Sequence, residues 1–444
     1  MSKRNIILIA IVLIIGALSF SFYYFYKPVG TGTGDTTGTN FFSDFFPFGK
    51  STTTNTGTTN NPADVSGYIP AETGVTPKEL LTKISSMPIA GYGIFLKERF
   101  VDVPVPEAAP VLDTTKVIEP TKTIPVAPTT EFAPSVRYVE RATGNVFQTF
   151  ADKIYEQKFT NTVIPAVYDA YFGDNGNSVT MRYLKDENII ESFTGTMPKE
   201  ILGADTSIGN ELTGSFLPEN ITNINISPDK ASIFYLFNTQ NGSVGVTSSS
   251  AGDKKNQTFT SSFSEWLSEW PNQRMITLTT KPSFGVAGFM YAIDPVTKKM
   301  NKILDGVNGL TTLTSPSGKL VLYNDNSLAL RIYDISTGDS TSAGIKTMSE
   351  KCTWNKTSTI IYCAVPNYVS GNNYPDIWYQ GETSFSDDLW KINVETGSAS
   401  NIADPLSFTR GEDIDGIKLS LDDNENYLFF VNKKDSYLWE LKIN

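Results

Sequence analysis

The sequence predicts an all-β fold, a β-propeller of seven blades, and three observations predict it. The first is a degenerate phrase, a polar turn followed by an apolar, β-branched or aromatic run. It stands at Ser227-Pro-Asp-Lys-Ala-Ser-Ile-Phe-Tyr235, at Ser315-Pro-Ser-Gly-Lys-Leu-Val-Leu-Tyr323 and at Trp354-Asn-Lys-Thr-Ser-Thr-Ile-Ile-Tyr362, with weaker copies starting at Trp270 and Ser420. Recurrence at roughly 40 residues marks one supersecondary unit used many times. The second is a set of alternating strands downstream of the phrases, each ending in another turn: Leu330-Arg-Ile-Tyr-Asp-Ile-Ser-Thr-Gly338 and Asp388-Leu-Trp-Lys-Ile-Asn-Val-Glu-Thr-Gly397. Period-two alternation is the pattern of a strand with one better-buried face. The third is that nothing within these repeats has the 3.6-residue period of a long amphipathic helix. One hairpin cannot bury its own face, so four-stranded sheets stacked around an axis are the economical solution.

Taken from the N-terminus, the first element is an apolar run. Lys3 and Arg4 precede residues 6–22, which are almost free of polar groups, and Tyr23, Tyr24, Phe25 and Tyr26 lead to Lys27. About 20 apolar residues span a bilayer, and aromatic rings suit its interface. Residues 1–27 therefore read as an uncleaved signal anchor, a single transmembrane helix. The basic residues before it keep the N-terminus cytoplasmic and place the rest of the chain on the extracytoplasmic side. The competing reading is a signal peptide cleaved near Ala17-Leu18-Ser19.

Residues 28–75, rich in Thr, Gly and Asn, read as a flexible linker. It is interrupted by Phe41, Phe42, Phe45, Phe46 and Phe48. Rings left in water are costly, so this stretch is a candidate docking motif for a partner or the membrane surface. Alternatively, it folds back on the propeller or lies near the bilayer. Residues 76–444 carry the propeller. Within them, residues 102–134 hold seven prolines, which favour an extended, non-ladder excursion from the first blade.

Upstream of the five repeats, residues 136–144 have the strand-then-turn form and residues 167–184 read as a hairpin. These bring the total to seven; six or eight also fit the uneven spacing. The last copy shows two clear strands, and a strand from the N-terminal part is expected to complete its sheet and close the ring. The Ser-Pro-Asp/Ser turns at Ser227 and Ser315 and the Leu330 strand resemble TolB-type (WD-like) propellers, from about residue 84 to the C-terminus. That resemblance implies a protein- or glycan-binding platform outside the cytoplasm. The same repeats occur in propellers attached to prolyl oligopeptidases, whose chemistry sits in a separate hydrolase domain that this chain has no room for.

Two cysteines, Cys352 and Cys363, flank one repeat turn. If they lie on neighbouring antiparallel strands, an oxidising compartment would join them in a disulfide; otherwise they are two buried thiols. Residues 366–387 form an insertion in the same blade. Its rings Tyr368, Tyr374, Trp378, Tyr379 and Phe385 are a candidate binding surface, since Tyr and Trp dominate recognition hot spots. The competing reading packs them onto the blade edge or into the channel.

Histidine is absent, which removes the commonest general base and metal ligand. No Gly-x-Ser-x-Gly elbow is present, and two cysteines cannot build a zinc or iron–sulfur site. A net charge of −11 argues against a nucleic-acid surface. The sequence Asp422-Asp-Asn-Glu-Asn426 begins like a calcium loop, but Tyr427 stands where glycine is needed and Lys433 where the closing glutamate belongs. No cofactor, metal or catalytic residue is expected. The expected role is a membrane-tethered binding or scaffold module rather than an enzyme. The alternatives are a carboxylate-dependent hydrolase of a surface polysaccharide or a structural subunit of a cell-surface assembly.

Overall fold

The computed structural model describes residues 81–101, 129–186, 189–202, 210–408 and 412–443. The apolar N-terminal run, the linker with its phenylalanines and residues 102–128 lie outside the described residues. The described chain forms seven four-stranded antiparallel sheets, the blades of a propeller. The innermost strand of each blade comes first in six of them and is Ile89–Phe100, Val167–Gly173, Ile221–Ile226, Trp266–Asn272, Thr311–Thr314 and Cys352–Trp354 for blades 1 to 6. Blade 7 runs from Gly416–Leu421 outward through Tyr427–Asn432 and Leu438–Lys442. Its fourth, outermost strand is Leu81–Lys83, from the other end of the described chain. The ring is therefore closed by pairing Leu81 with Leu441 and Lys83 with Trp439. We call the face where innermost strands begin the upper face.

The sequence repeat has a local cause. Four of the five copies carry, at or near their start, a short polar side chain that accepts from a backbone N–H five residues on. Ser232 N donates to Ser227 Oγ at 2.9 Å, Leu320 N to Ser315 Oγ at 3.1 Å, Ile360 N to Asn355 Oδ1 at 3.0 Å, and Tyr427 N to Asp422 Oδ1 at 2.6 Å. Three residues after each acceptor the backbone turns left-handed, at Lys230, Gly318, Ser358 and Glu425. Ser, Asn and Asp are interchangeable here because each offers an oxygen at short reach. This alignment sets Asp422, rather than Ser420, as the start of the last copy, and it gives the Asp422 acid a structural task.

Three elements differ from the sequence expectation. Blade 7 has three strands of its own where two were clear, because Gly416–Leu421 is broken by a register shift between Ile417 and Ser420 and by left-handed Lys418. The outermost strand of blade 2, Thr213–Phe216, is exposed along its whole length and so carries no alternating pattern. Strand Thr130–Glu140 takes in Pro134, inside the stretch expected to leave the ladder. The next strand pairs only from Ser135 onward, so proline removes no required donor.

The core lies between successive blades. One cluster joins blades 6 and 7 through Tyr362, Ala364, Leu389, Leu428 and Phe430; another joins blades 7 and 1 through Phe429, Val431, Val136 and Tyr138. Buried side chains of this size contribute roughly 1.5–3 kcal/mol each. Cys352 and Cys363 stand directly opposite each other and form a disulfide, stapling the inner two strands of blade 6.

Candidate functional site

The insertion of blade 6 runs from strand Ile360–Pro366 to strand Asp387–Asn393 and crosses the upper face. Its ends are closed by the rung pairing Pro366 with Asp387. It contains a one-turn helix, Asp376–Tyr379.

The five rings divide. Tyr374, Trp378 and Phe385 are buried, packed with Leu328 of blade 5 and Met348. Tyr374 and Phe385 stack with centroids 5.6 Å apart. Only Tyr368, 77% exposed, and Tyr379, 37% exposed, face solvent. Of the five rings expected to form a binding surface, two are open to solvent and the other three are the insertion's own core, as the competing reading had it. The reason for their placement is the group they cover.

Beneath them lies Lys351, which immediately precedes Cys352 and has no exposed side-chain surface. Its Nζ reaches Asp387 Oδ2 at 2.8 Å and the Gly416 carbonyl at 3.0 Å, and it also contacts Asp415 Oδ1. The rings of Phe385 and Trp378 lie 5.3 and 5.4 Å from the ammonium. Asp415 Oδ2 accepts from Trp378 Nε1 at 3.0 Å and from Ser384 Oγ and the Phe385 N–H at 3.1 Å each. Lys433 of blade 7 sits 3.9 Å from the Trp378 ring centroid and donates to the Trp378 carbonyl. At the far end, Asp376 accepts from Phe284 N at 2.8 Å and Ser283 Oγ at 3.1 Å, both on blade 4. The insertion is therefore held by side chains from blades 4, 5 and 7 as well as its own.

Burial and charge separate the acids of this region. Burial pushes Asp387 up to about 6, and Asp415 adds to the rise while Lys351 opposes it. Burial also opposes ionisation of Asp415, but Lys351 and its hydrogen-bond donors outweigh it and hold the carboxyl below its usual range. Glu269, on the innermost strand of blade 4, is pushed up to about 7 by burial, with a further push from Glu350. Its Oε2 accepts from Thr314 N at 2.8 Å and Thr277 Oγ1 at 3.3 Å. Burial raises Glu350 too, against the opposing hydrogen bond from Tyr379 and the charge of Lys351 and Lys433. A carboxyl pushed up as far as Glu269 suits proton transfer.

Lys351, Asp387, Asp415, Glu269 and Glu350 were not singled out in the sequence. Each sits among ordinary strand or turn residues, and no spacing joins them; they converge from blades 4, 6 and 7. The one local signal is a charged pair, Glu350-Lys351, directly before the Cys352 strand. Among the described residues no group of three Cys, Asp or Glu side chains is placed to hold a metal ion.

Two hollows lie elsewhere on the propeller, the first sharing Lys433 with the site. One of about 600 Å3 lies on the upper face between blades 1, 2 and 7, lined by Pro88, Arg141, Ala166, Lys433, Lys434 and Ser436 among others. One of about 330 Å3 lies at the lower mouth, where Lys230 Nζ donates to the Ile94 carbonyl and sits over Phe95. The candidate docking phenylalanines Phe41, Phe42, Phe45, Phe46 and Phe48 lie outside the described residues. Among the described residues no helix is long and apolar enough to cross a membrane.

No protein-family model matches the chain. No curated protein matches it either. Solved structures do match, among them the crystal structure of the tricorn protease, with 12% identity, a TM-score of 0.34, and coverage of 67% of this chain and 27% of that one. The chain thus spans about a quarter of that protein's length, and a likeness at this level carries no argument about activity.

Proposed function

We propose that this chain is a recognition or scaffold module, tethered to a membrane by residues 1–27 and holding a protein or glycan partner on the upper face of its propeller. The reading rests on one observation above others: the insertion is a platform braced by blades 4, 5 and 7, with Tyr368 exposed on it. Phe284 and Val286, exposed on the loop of blade 4 that Asp376 grips, extend the apolar surface. A braced loop with exposed rings loses little entropy on binding, which favours affinity. The apolar N-terminal run and the TolB-type resemblance support placement outside the cytoplasm. No catalytic role is assigned on this reading. The test is a pull-down from native membranes with the intact protein and with Tyr368→Ala. Loss of the partner in the variant is expected; unchanged recovery would remove the upper face from the reading.

A second reading, a carboxylate-dependent hydrolase, has one observation in its favour. Burial pushes Glu269 up to about 7 and raises Glu350 as well, and Glu350 adds to the rise of Glu269. Such a pair is the minimum equipment for glycoside hydrolysis. Glycan turnover lost in Glu269→Gln would favour it over recognition.

A further inference from the structure

Lys351, Asp387 and Asp415 set one ammonium against two carboxylates, all three side chains without exposed surface. With both acids ionised the group carries one uncompensated negative charge in a place water does not reach. Asp387 Oδ2 is occupied by Lys351 and by the Gly416 N–H at 2.7 Å, whereas Asp387 Oδ1 is buried with no partner. An ionised oxygen there has given up water and gained no donor in return. A proton on Oδ1 removes the uncompensated charge, which is the larger of the two costs.

The position of this group gives the proton something to control. Asp387 is the closing rung of the insertion, its own N–H donating to the Ile414 carbonyl of blade 7. Asp415 receives three groups of the insertion, the Trp378 indole, the Ser384 hydroxyl and the Phe385 N–H. Lys351 joins the two acids.

We propose that Asp387 and Asp415, bridged by Lys351, form a proton-operated latch that holds the insertion against blades 6 and 7 when Asp387 is protonated and loosens it when Asp387 is charged. The proton leaves from Oδ1 to solvent as the insertion opens. This is independent of which ligand the face takes.

The sign follows from the direction of the shift. Asp387 sits at about 6 in the closed state, above the ordinary carboxyl value it regains on opening. Closure is therefore most favourable below about pH 4 and weakens as pH rises to about 6. Asp415 acts in the opposite sense, because its value is lowered by Lys351 and its donors against burial; its contribution is lost only as pH falls below the ordinary carboxyl range. The charged groups facing Asp387 are Lys351 from its own blade and Asp415 from blade 7. Glu350 and Lys433 stand one step further out, with Asp415, Lys351 and Glu350 all acting on Lys433.

The experiment is hydrogen exchange of residues 367–386 in the intact protein between pH 4 and 7.5, corrected for intrinsic exchange, in wild type and Asp387→Asn. The opening equilibrium in wild type is expected to rise by up to about tenfold per pH unit between about 4 and 6. Asp387→Asn, neutral at every pH, is expected to flatten that slope. A wild-type opening that does not change with pH, or an equal slope in the variant, overturns the latch. If Asp387→Asn does not fold, the difference in tryptophan fluorescence between wild type and Trp378→Phe reads the same closure. A transition near pH 6 in that difference supports the latch, and a flat trace sinks it.

Discussion

Among the described residues, the insertion of blade 6 and the arm of blade 1 are built on opposite plans. The insertion of blade 6 buries three large rings and a lysine beneath its own backbone. The extended hairpin of blade 1, Ile89–Phe100 with Thr130–Glu140, continues pairing past the end of its neighbour and relies on its ladder. On one face of that arm, Leu96, Phe100 and Phe132 are exposed, Phe132 at 72%. Its opposite face is tied down by Arg99, whose guanidinium meets Asp152 in a two-pronged contact and also Glu131. Backbone pairing alone can carry a hairpin whose side chains face water, because both strands satisfy each other's amides. A loop without a ladder needs a small core of its own. Aromatic residues in a loop are thus as often its foundation as its contact surface, and burial, rather than identity, separates the two.

That contrast can be broken most forcefully at Asp415. Asp415→Ala strips Lys351 of one partner in a fully buried site and frees the Trp378 indole. A loss of about 3–5 kcal/mol is expected, read from the denaturant midpoint. An effect below about 1 kcal/mol would mean that the insertion does not depend on its buried ions. Next is the staple beneath it: replacing Cys352 and Cys363 together by Ala should cost about 3 kcal/mol, chiefly by freeing the unfolded chain. Thermal unfolding of reduced wild type should match that variant. The smallest effect belongs to the arm. Phe132→Thr should shift stability by no more than about 0.5 kcal/mol, since the ring buries little and Thr suits a strand. A large loss there would show that the arm's outer face is covered after all.

Much of the architecture could be read before any fold was known. The repeat was legible because one turn chemistry, an oxygen at Ser227, Ser315, Asn355 or Asp422 gripping the N–H five residues on, leaves a fixed local imprint. The disulfide was legible for a related reason, since the cysteines flank such a turn and strand register puts them opposite each other. Closure was legible in kind: a last blade short of strands must borrow one. The strands that escaped were those whose pattern is disturbed, Thr213–Phe216 by full exposure and Gly416–Leu421 by a bulge.

The candidate site was legible only as an address. The density of rings in residues 366–387 marked the insertion, yet gave no means of telling Tyr368, which faces water, from Trp378, which does not. Lys351, Asp387 and Asp415 read singly as ordinary strand and turn residues. What the sequence by itself determined were the local matters: turn oxygens, strand alternation, a cysteine pair at matching register. These depend on neighbours a few residues apart, and such spacing is written in the chain. Only the tertiary structure decided which rings are core, that one ammonium is shared between acids 36 and 64 residues away, and that Glu350 adds to the burial-driven rise of Glu269. Those outcomes depend on dielectric and on distance between blades, which arise when the ring closes and which no local pattern encodes.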